Sequence, residues 1–281
     1  MIAYTYGVYD ILRSKDLQNL DKQIQLSAEE GAEYFALGIY DSNLCEYLNL
    51  STPLKSIQDR LSIMEQIRGV DFVFPISTLD EEELKNTVKD AFAEFLKRKQ
   101  QSEENEKKQY ELGYAPGTYD LFHAGHLENL LIASEQCNRL IVGIKSDELV
   151  EAHKHRKPVI SAEERMEILR HFKFVYDVYK YHTRDLKIAN RWLNSKYRHS
   201  IDAIFLGSDL KKDFADLEGL NIVYTPRDKE GMKTRSTTAY RKLHLSRASQ
   251  PGYTAHPTIS QQLNDTSLHI MDDSEIDDLE K

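Results

Sequence analysis

Residues 117–127 read Gly-Thr-Tyr-Asp-Leu-Phe-His-Ala-Gly-His-Leu, and this stretch decides the fold. It is predicted to follow a strand and to open a helix, whose free N–H groups and positive dipole end would face an anion. Gly117 is expected to let a phosphate approach the backbone closely, and Gly125 to permit a tight turn. His123 and His126 are three residues apart, so both can face one ligand from a first helical turn. Their N–H groups would stabilise charge on a phosphoryl group in transfer.

Strands and helices alternate along the chain after this stretch. Apolar runs at 140–144, 203–206 and 221–224 are predicted strands. Ser161, three residues before Glu164, gives a capping-box pattern that opens a helix. Such alternation predicts an α/β fold, a Rossmann-like parallel sheet with helices on both faces. Ligands of such sheets bind outside the carboxyl ends of the strands, near the switch in strand order.

An internal repeat precedes the deciding stretch. Three blocks recur in the same order along the chain: 6–12 with 116–122, 36–39 with 141–144, and 53–73 with 158–178. The fold is therefore expected as two tandem copies, the first of them degenerate. The predicted divisions are a first copy at 1–97, a charged segment at 98–111, a second copy at 112–245 and a disordered acidic tail at 246–281. The charged segment either extends the preceding helix or forms a flexible linker.

Composition argues against several classes of protein. The 281 residues are 40% hydrophobic and 30% charged, with a formal net charge of -9, which does not suggest general nucleic-acid binding. Cys45 and Cys137 are too few for a disulfide scaffold and lack the spacing of a zinc site. No basic leader precedes an apolar stretch, and no apolar run is long enough to span a bilayer. We therefore expect a cytoplasmic protein with no membrane insertion.

The quoted stretch resembles the signature of the cytidylyltransferase family, within the HxGH nucleotidyltransferase superfamily. That family includes the glycerol-3-phosphate, choline-phosphate and ethanolamine-phosphate cytidylyltransferases. The resemblance continues through 142–149 and 157–169, and it covers roughly 112–243. It implies a Rossmann-like fold, CTP with Mg²⁺ as cofactor, and catalysis by His123 and His126 at the α-phosphorus. Zinc binding by the two histidines is a weaker alternative, because no other His or Cys lies at ligand spacing.

The resemblance also implies a set of nucleotide-binding residues. Family lysines that hold phosphates correspond to the basic run at 154–157, from which Lys157 is expected to act in catalysis. Backbone contacts are expected from the turn, and hydroxyl contacts from a later helix start that matches the family's third signature only in part. The nucleotide-binding residues implied in this way are Gly117, Thr118, Tyr119, Asp120, Gly125, Lys154, Arg156, Asp209, Arg235, Ser236, Thr237 and Thr238.

Some of these assignments leave alternatives open. Either Arg227 or Arg235 could supply the guanidinium that clamps the triphosphate, and Arg235 is favoured by its closeness to the hydroxyls. Ser208 replaces an acidic residue of the family pattern, which weakens a metal or ribose role for Asp209. The family arginine at position 165 recurs at position 60 in the first copy, which favours a structural role.

The first copy is not expected to be catalytic. Arg13, Lys15 and Asp16 stand where the second copy has its two histidines and the glycine between them, and Thr52 matches Lys157. A structural partner for the second copy or a recognition module is the expected role. An intramolecular pseudo-dimer of the two copies, or a homodimer, is a reasonable hypothesis.

The expected reaction transfers CMP from CTP to a small phosphorylated alcohol, such as glycerol 3-phosphate or choline phosphate, and releases pyrophosphate. An adenylyltransferase using ATP is the nearest alternative, because the superfamily shares the histidine signature. A non-catalytic nucleotide-binding regulator and a pure interaction protein are weaker alternatives. The expected partners are thus CTP and the acceptor, with no nucleic acid.

Overall fold

A computed structural model describes residues 1–101, 107–210, 219–226, 237–248 and 268–276. The chain divides into two compact units, one formed by 1–106 together with 243–281 and the other by 107–242. The boundary between the units at residues 106 and 107 falls inside the charged segment predicted at 98–111. Over residues 98–101 that segment continues the preceding helix, which is one of the two forms expected for it.

The first unit begins with a three-stranded parallel sheet. Its elements are β1 (Ile2–Gly7), α1 (Ser14–Glu29), β2 (Tyr34–Tyr40), α2 (Ser42–Tyr47), α3 (Ile57–Met64), β3 (Phe72–Ile76) and α4 (Glu81–Gln101). The strands pair in the order β3-β2-β1, with Ile2 opposite Tyr34 and Ala36 opposite Phe72. Strand β2 is buried along almost its whole length, as expected for a parallel strand covered on both faces.

The second unit contains a five-stranded parallel sheet. Its elements are β4 (Tyr110–Gly117), α5 (Ala124–Gln136), β5 (Cys137–Lys145), α6 (Asp147–Lys154), α7 (Ala162–Arg170), β6 (Asp177–Tyr181), α8 (Leu186–Tyr197), β7 (Ala203–Gly207), β8 (Ile222–Thr225) and the first half of α9 (Thr237–Ala248), up to residue 242. The α/β fold class is confirmed, and the three predicted strands correspond to β5, β7 and β8. The expected cap is also present, since Ser161 Oγ accepts a hydrogen bond from Glu164 N at 3.3 Å.

The strand order of the second sheet defines its ligand edge. The order is β6-β5-β4-β7-β8, so the chain moves to one side of β4 and then returns to the other side. The switch point therefore lies between β4 and β7, at the carboxyl ends of the strands. Leu112 and Tyr114 of β4 pack with Leu186 and Leu193 of α8 in the core that supports this edge.

The two units share a topology and a set of buried polar contacts, which is compatible with tandem copies. The order β3-β2-β1 in one corresponds to β6-β5-β4 in the other. In the first unit, Asp10 accepts hydrogen bonds from Leu54 N at 2.7 Å and Lys55 N at 2.9 Å. A fully buried Arg60 donates to Val8 O at 2.8 Å and to Tyr40 O at 2.7 Å.

Part of the segment predicted as a disordered tail at 246–281 forms regular structure, while its residues 249–267 and 277–281 lie outside the described residues. Residues His269–Met271 form strand β9, which pairs antiparallel with β1, and Asp273–Ile276 form a short helix, α10. Met271 is 1% exposed, and Lys85 of α4 forms an ion pair with Glu275 at 2.8 Å. The physical reason is the open edge of β1, whose unpaired backbone groups are satisfied by this short strand.

Crossing a membrane as a helix requires a long apolar helix. The described ranges contain none that meets this requirement.

Candidate active site

The turn after β4 holds an unusual backbone conformation. Tyr119 and Leu121 have φ angles of 54° and 50°, in the left-handed region that most residues avoid. A Cβ on Gly117 would lie 2.5 Å from the Tyr119 ring, so a larger residue would displace that ring. The Tyr119 ring is thus one reason for a glycine at this position, and the close approach of a phosphate to Gly117 stays a prediction. The Tyr119 hydroxyl also donates to Ala115 O at 3.2 Å, which fixes the ring in place.

The buried carboxylate of Asp120 stabilises this turn. Its carboxylate accepts hydrogen bonds from Val159 N at 3.0 Å and from Ile160 N at 3.0 Å, and the residue is 3% exposed. Charged acceptors of backbone N–H groups are among the stronger hydrogen bonds in proteins. The structure therefore gives Asp120 a supporting role, whereas the sequence suggested contact with the nucleotide. It ties the turn to the segment that follows the basic run.

The two predicted histidines lie side by side at the start of α5. Their ring centroids are 3.8 Å apart with an interplanar angle of 22°. His123 Nε2 lies 3.2 Å from Thr237 Oγ1, and the Thr237 hydroxyl donates to Asp120 O at 3.2 Å. Because that hydroxyl has a single proton, it accepts from His123, which places a proton on Nε2. His126 also contacts the edge of the Tyr119 ring at 5.3 Å between centroids.

Thr237 brings the distant hydroxyl segment to the same edge of the sheet. It opens α9, and Thr238 is exposed in the first turn of that helix. The structure thus joins the histidine turn to the partly matched third signature through one threonine. Arg235 and Ser236, which the sequence also assigned to this segment, lie outside the described residues, as does Arg227.

A polar bridge that the sequence did not reveal positions the first turn of α5. Asn129 Nδ2 donates to Gly125 O at 2.7 Å, and its Oδ1 lies 2.6 Å from Thr225 Oγ1 at the end of β8. Thr225 Oγ1 also lies 3.2 Å from Leu206 O. The helix start is therefore held against the strands on the far side of the switch point. An asparagine inside a helix gave no signal of this role.

The basic run lies beside the turn. Lys154, at the end of α6, is exposed and places Nζ 3.5 Å from Thr118 Oγ1. Arg156 is partly buried and Lys157 is exposed. The carbonyl of Lys157 accepts from Arg241 Nη1 at 2.9 Å. Lys154 therefore adds positive charge beside the turn that leads into α5, which favours an anionic ligand.

Arg241 is a site residue that sequence analysis missed. In addition to its contact with Lys157, its guanidinium lies 3.7 Å from Asp120 Oδ2. It therefore connects α9, the basic run and the turn in one network. Its position one helical turn after Thr237 is the signal that could have identified it.

Arg165 is structural, in agreement with the interpretation that its recurrence favoured. It is 1% exposed, and its guanidinium donates to three carbonyls, those of Thr118, Lys145 and Ile160, and to the Asp147 carboxylate. The protein itself thus supplies an acceptor to each nitrogen of this buried cation. Arg165 therefore joins the ends of β4 and β5.

Asp209 lies in a short 3-10 helix at Ser208–Leu210, directly after β7. It is exposed and follows the strand that borders the switch point. Its location at the carboxyl edge agrees with the predicted placement, and its role toward a ligand stays a prediction.

Comparison with known proteins identifies relatives of the region that contains this site. A family model described as "Cytidylyltransferase-like" matches residues 114–260. An FAD synthase of Pyrococcus horikoshii is 35% identical over 112 residues, a match that covers 38% of this chain and 72% of that relative. A glycerol-3-phosphate cytidylyltransferase of Bacillus spizizenii is 34% identical over 119 residues, covering 42% of this chain and 87% of the relative.

A third relative is much longer than the matched region. A probable ethanolamine-phosphate cytidylyltransferase of Encephalitozoon cuniculi is 32% identical over 112 residues. The match covers 39% of this chain and 32% of the relative, so this chain spans about a third of that protein. The resemblance expected from the sequence signature is confirmed by these relatives.

Proposed function

This chain belongs to the cytidylyltransferase-like family, and from that premise we propose that its second unit transfers CMP from CTP to a small phosphorylated alcohol. The observation that carries the proposal is the contact of His123 Nε2 with Thr237 Oγ1, at 3.2 Å. This contact puts two histidines, a threonine and a helix N-terminus at the switch point, beside exposed lysines. Such a site can hold a polyphosphate and stabilise charge that develops on it.

The proposed reaction is an in-line displacement at phosphorus. An oxygen of the acceptor's phosphate attacks the α-phosphorus of CTP, and the bond from that phosphorus to the oxygen bridging to the β-phosphate breaks. The electron pair of the broken bond leaves with pyrophosphate, and the new bond is a phosphoanhydride. His123 and His126 donate hydrogen bonds to the α-phosphoryl oxygens as charge builds on them. No covalent intermediate with the protein is needed.

The basic residues have a separate task in this proposal. Lys154, Arg156 and Lys157 neutralise the departing pyrophosphate, while the turn holds the triphosphate in position for attack. Thr237 releases its contact with His123 when the phosphate arrives, because the same imidazole N–H faces both. The His123 imidazole N–H would then donate to the α-phosphoryl oxygen in place of Thr237 Oγ1.

Mg²⁺ is proposed as the cofactor that accompanies the triphosphate and lowers its charge. Within the described ranges, no group of three or more His, Cys, Asp or Glu side chains is placed to hold a metal ion. The Asp120 carboxylate is already committed to Val159 N and Ile160 N. The described residues therefore do not fit a preformed metal centre, and no step above depends on one.

A second candidate donor is ATP. The FAD synthase relatives favour it, since FAD is an adenine dinucleotide and one such relative is 35% identical, with 72% of its length matched. The same histidines and cations would serve an adenylyl transfer, because the proposed reaction uses them to hold phosphates and assigns them no contact with the base. A nucleotide-binding regulator without turnover would use the same contacts but would leave pyrophosphate unreleased.

The test is a matrix of two donors and several acceptors. Purified full-length chain, with Mg²⁺ present, is mixed with CTP or ATP and with glycerol 3-phosphate, choline phosphate, ethanolamine phosphate or FMN. Pyrophosphate release is measured, and the coupled product is identified by mass. We expect release with CTP and at least one phosphorylated alcohol. Release only with ATP would replace the proposal with its second candidate, and binding of CTP without release would contradict both.

A further inference from the structure

A second group of cations lies beside the candidate site, at the ends of β5 and β6. Lys145 is the last residue of β5, and its carbonyl accepts from Arg165 Nη2 at 3.0 Å. The same guanidinium donates to Thr118 O, so Lys145 adjoins the turn. Ser146 N donates to Tyr181 O at 3.0 Å, which brings the segment after β6 to the same place. That segment contains Arg184.

The charges around Lys145 are predominantly positive. The pKa of Lys145 is lowered to about 8, first by burial and then by the neighbouring charges of Lys154, Arg184 and Arg165. Of these, Arg165 is balanced by Asp147 at 2.5 Å. Lys145 and Arg184 form no ion pair within the described residues. A partly buried amine surrounded by cations is a poor arrangement for stability, and an anionic ligand would relieve it.

The acidic groups in this part of the fold are engaged elsewhere. Asp120 accepts from two backbone N–H groups and faces Arg241. The pKa of Glu148 is lowered, first by a hydrogen bond from its own backbone and then by one from Ser146. Lys180, in β6, pairs with Glu163 at 2.5 Å. These carboxylates therefore already have partners other than Lys145.

Building on the proposed function, we propose that Lys145 and Arg184 bind the phosphate of the acceptor and select acceptors whose other end carries no positive charge. Polyol phosphates fit this description, whereas amino-alcohol phosphates do not. A cationic head group next to this cluster would meet like charge, and the neighbouring carboxylates are already paired. The acceptor phosphate itself would meet Lys145 and Arg184 next to Lys154, the first residue of the basic run.

The first test is kinetic and uses the full-length chain. Lys145→Gln and Arg184→Gln are compared with the wild type, with CTP as donor and glycerol 3-phosphate as acceptor. Loss of one charged hydrogen bond is expected to raise the KM for glycerol 3-phosphate about ten- to a hundredfold, with the KM for CTP unchanged within about twofold. The matched control is Lys180→Gln, which removes a nearby lysine that pairs with Glu163, and its KM values should stay near wild type.

Selectivity gives the second readout. We expect the wild type to prefer glycerol 3-phosphate to ethanolamine phosphate by about tenfold or more in kcat/KM, and Lys145→Gln to narrow that ratio. Equal use of the two acceptors by the wild type would overturn the inference. An equal rise in the KM for CTP would also overturn it, because Lys145 would then belong to the nucleotide's phosphates.

The third readout needs no turnover. At pH 8 about half of an amine with a pKa near 8 is neutral, against well under a hundredth of an ordinary lysine. Pulse acylation followed by mass spectrometry should therefore label Lys145 faster than Lys180, and millimolar inorganic phosphate should slow the labelling of Lys145 but not that of Lys180. If phosphate does not change the rate at which Lys145 is labelled, the inference is overturned. If no donor and acceptor react but phosphate protects Lys145, the proposed function fails while the anion site stands.

Discussion

The starts of helices α1 and α5 occupy corresponding places in the two units, but they differ in how well they would accept an anion. In α1, the Asp16 carboxylate accepts from Arg13 N at 3.1 Å, and Asp16 is buried. The protein thereby fills its own N-terminal positions with a negative charge, which would repel a phosphate. In α5, residues 124–127 carry no carboxylate, and His126 stands where Asp16 stands in the first unit. The two units therefore differ at this helix start in the charge that they present to a ligand.

The supporting structure beneath the two helix starts is the same. Tyr9 has a φ of 47° and covers Gly7, as Tyr119 covers Gly117. Asp10 and Asp120 each accept two backbone N–H groups from the segment before the next helix. The turn is therefore a property of the fold and persists without the histidines. The difference lies in the side chains that face the ligand edge.

The largest expected effect is on the open helix end. His126→Ala should lower turnover by about 10²–10³, because it removes a donor to the developing charge. The measurement is pyrophosphate release with CTP and the best acceptor found. Asp16→Ala is the corresponding change in the first unit and should leave turnover unchanged. Equal losses from the two variants would show that the helix ends do not differ in function.

The next effect is on stability, where substitution of the two buried arginines, Arg165 and Arg60, should lower the free energy of unfolding by different amounts. Arg165→Met removes the donor to three carbonyls and to Asp147 Oδ1, and it should lower the free energy of unfolding by about 3 kcal/mol or more. Arg60→Met should cost about 1 kcal/mol, because Nε and Nη2 of Arg60 are buried with no acceptor among the described residues. Hydrogen exchange read by mass spectrometry reports each unit separately. A larger loss for Arg60→Met would contradict the difference that we describe.

The edge of the first sheet gives the next comparison. Met271→Ala removes a residue that is 1% exposed, whereas Ile270 on the same strand is 40% exposed. We expect Met271→Ala to lower the free energy of unfolding of the first unit by about 2 kcal/mol. Ile270→Ala, the matched control, should change it by less than about 0.5 kcal/mol. Faster exchange of the β1 amides in Met271→Ala alone would support β9; equal behaviour would contradict its burial.

The smallest expected effect is on cysteine reactivity, which should be equally low in the two units. Burial raises the pKa of Cys45 to about 11 and that of Cys137 to about 11. A thiol reacts as its thiolate, so both should resist iodoacetamide at pH 8 and react only as the pH approaches 11 or the unit unfolds. Mass spectrometry of the intact chain after a short pulse measures this. Rapid labelling of one thiol at pH 8 would show that its unit opens more readily than the other.

Local patterns predicted most of the framework. The run at 140–144 is apolar and rich in β-branched residues, and it lies in β5. Ser161 caps α7 as its spacing to Glu164 indicated. The recurrence of Arg165 as Arg60 pointed to a structural role, which their buried contacts explain. Each of these signals depends on neighbours along the chain or on the repeat.

The features that the sequence did not reveal depend on contacts between distant segments. Arg241 meets Asp120, and Asn129 meets Thr225, only after the sheet has formed. Nothing in the residues beside Asn129 marks it, because a helical asparagine is common and its partner is on a distant strand. In the sequence, Lys145 is only the polar end of a strand. Its neighbours in the segment after β6 become apparent only in the folded structure. Strand β9 is too short for a periodic pattern to identify.

Because β9 pairs with β1, the sheet of the first unit can be completed only after the strands of the second unit have been synthesised. Residues 2–4 are synthesised long before their partners at 269–271. All strands described in the second sheet have been synthesised by residue 225. The half that is begun first is therefore completed last, and its open edge must be shielded from neighbouring nascent chains in the interval.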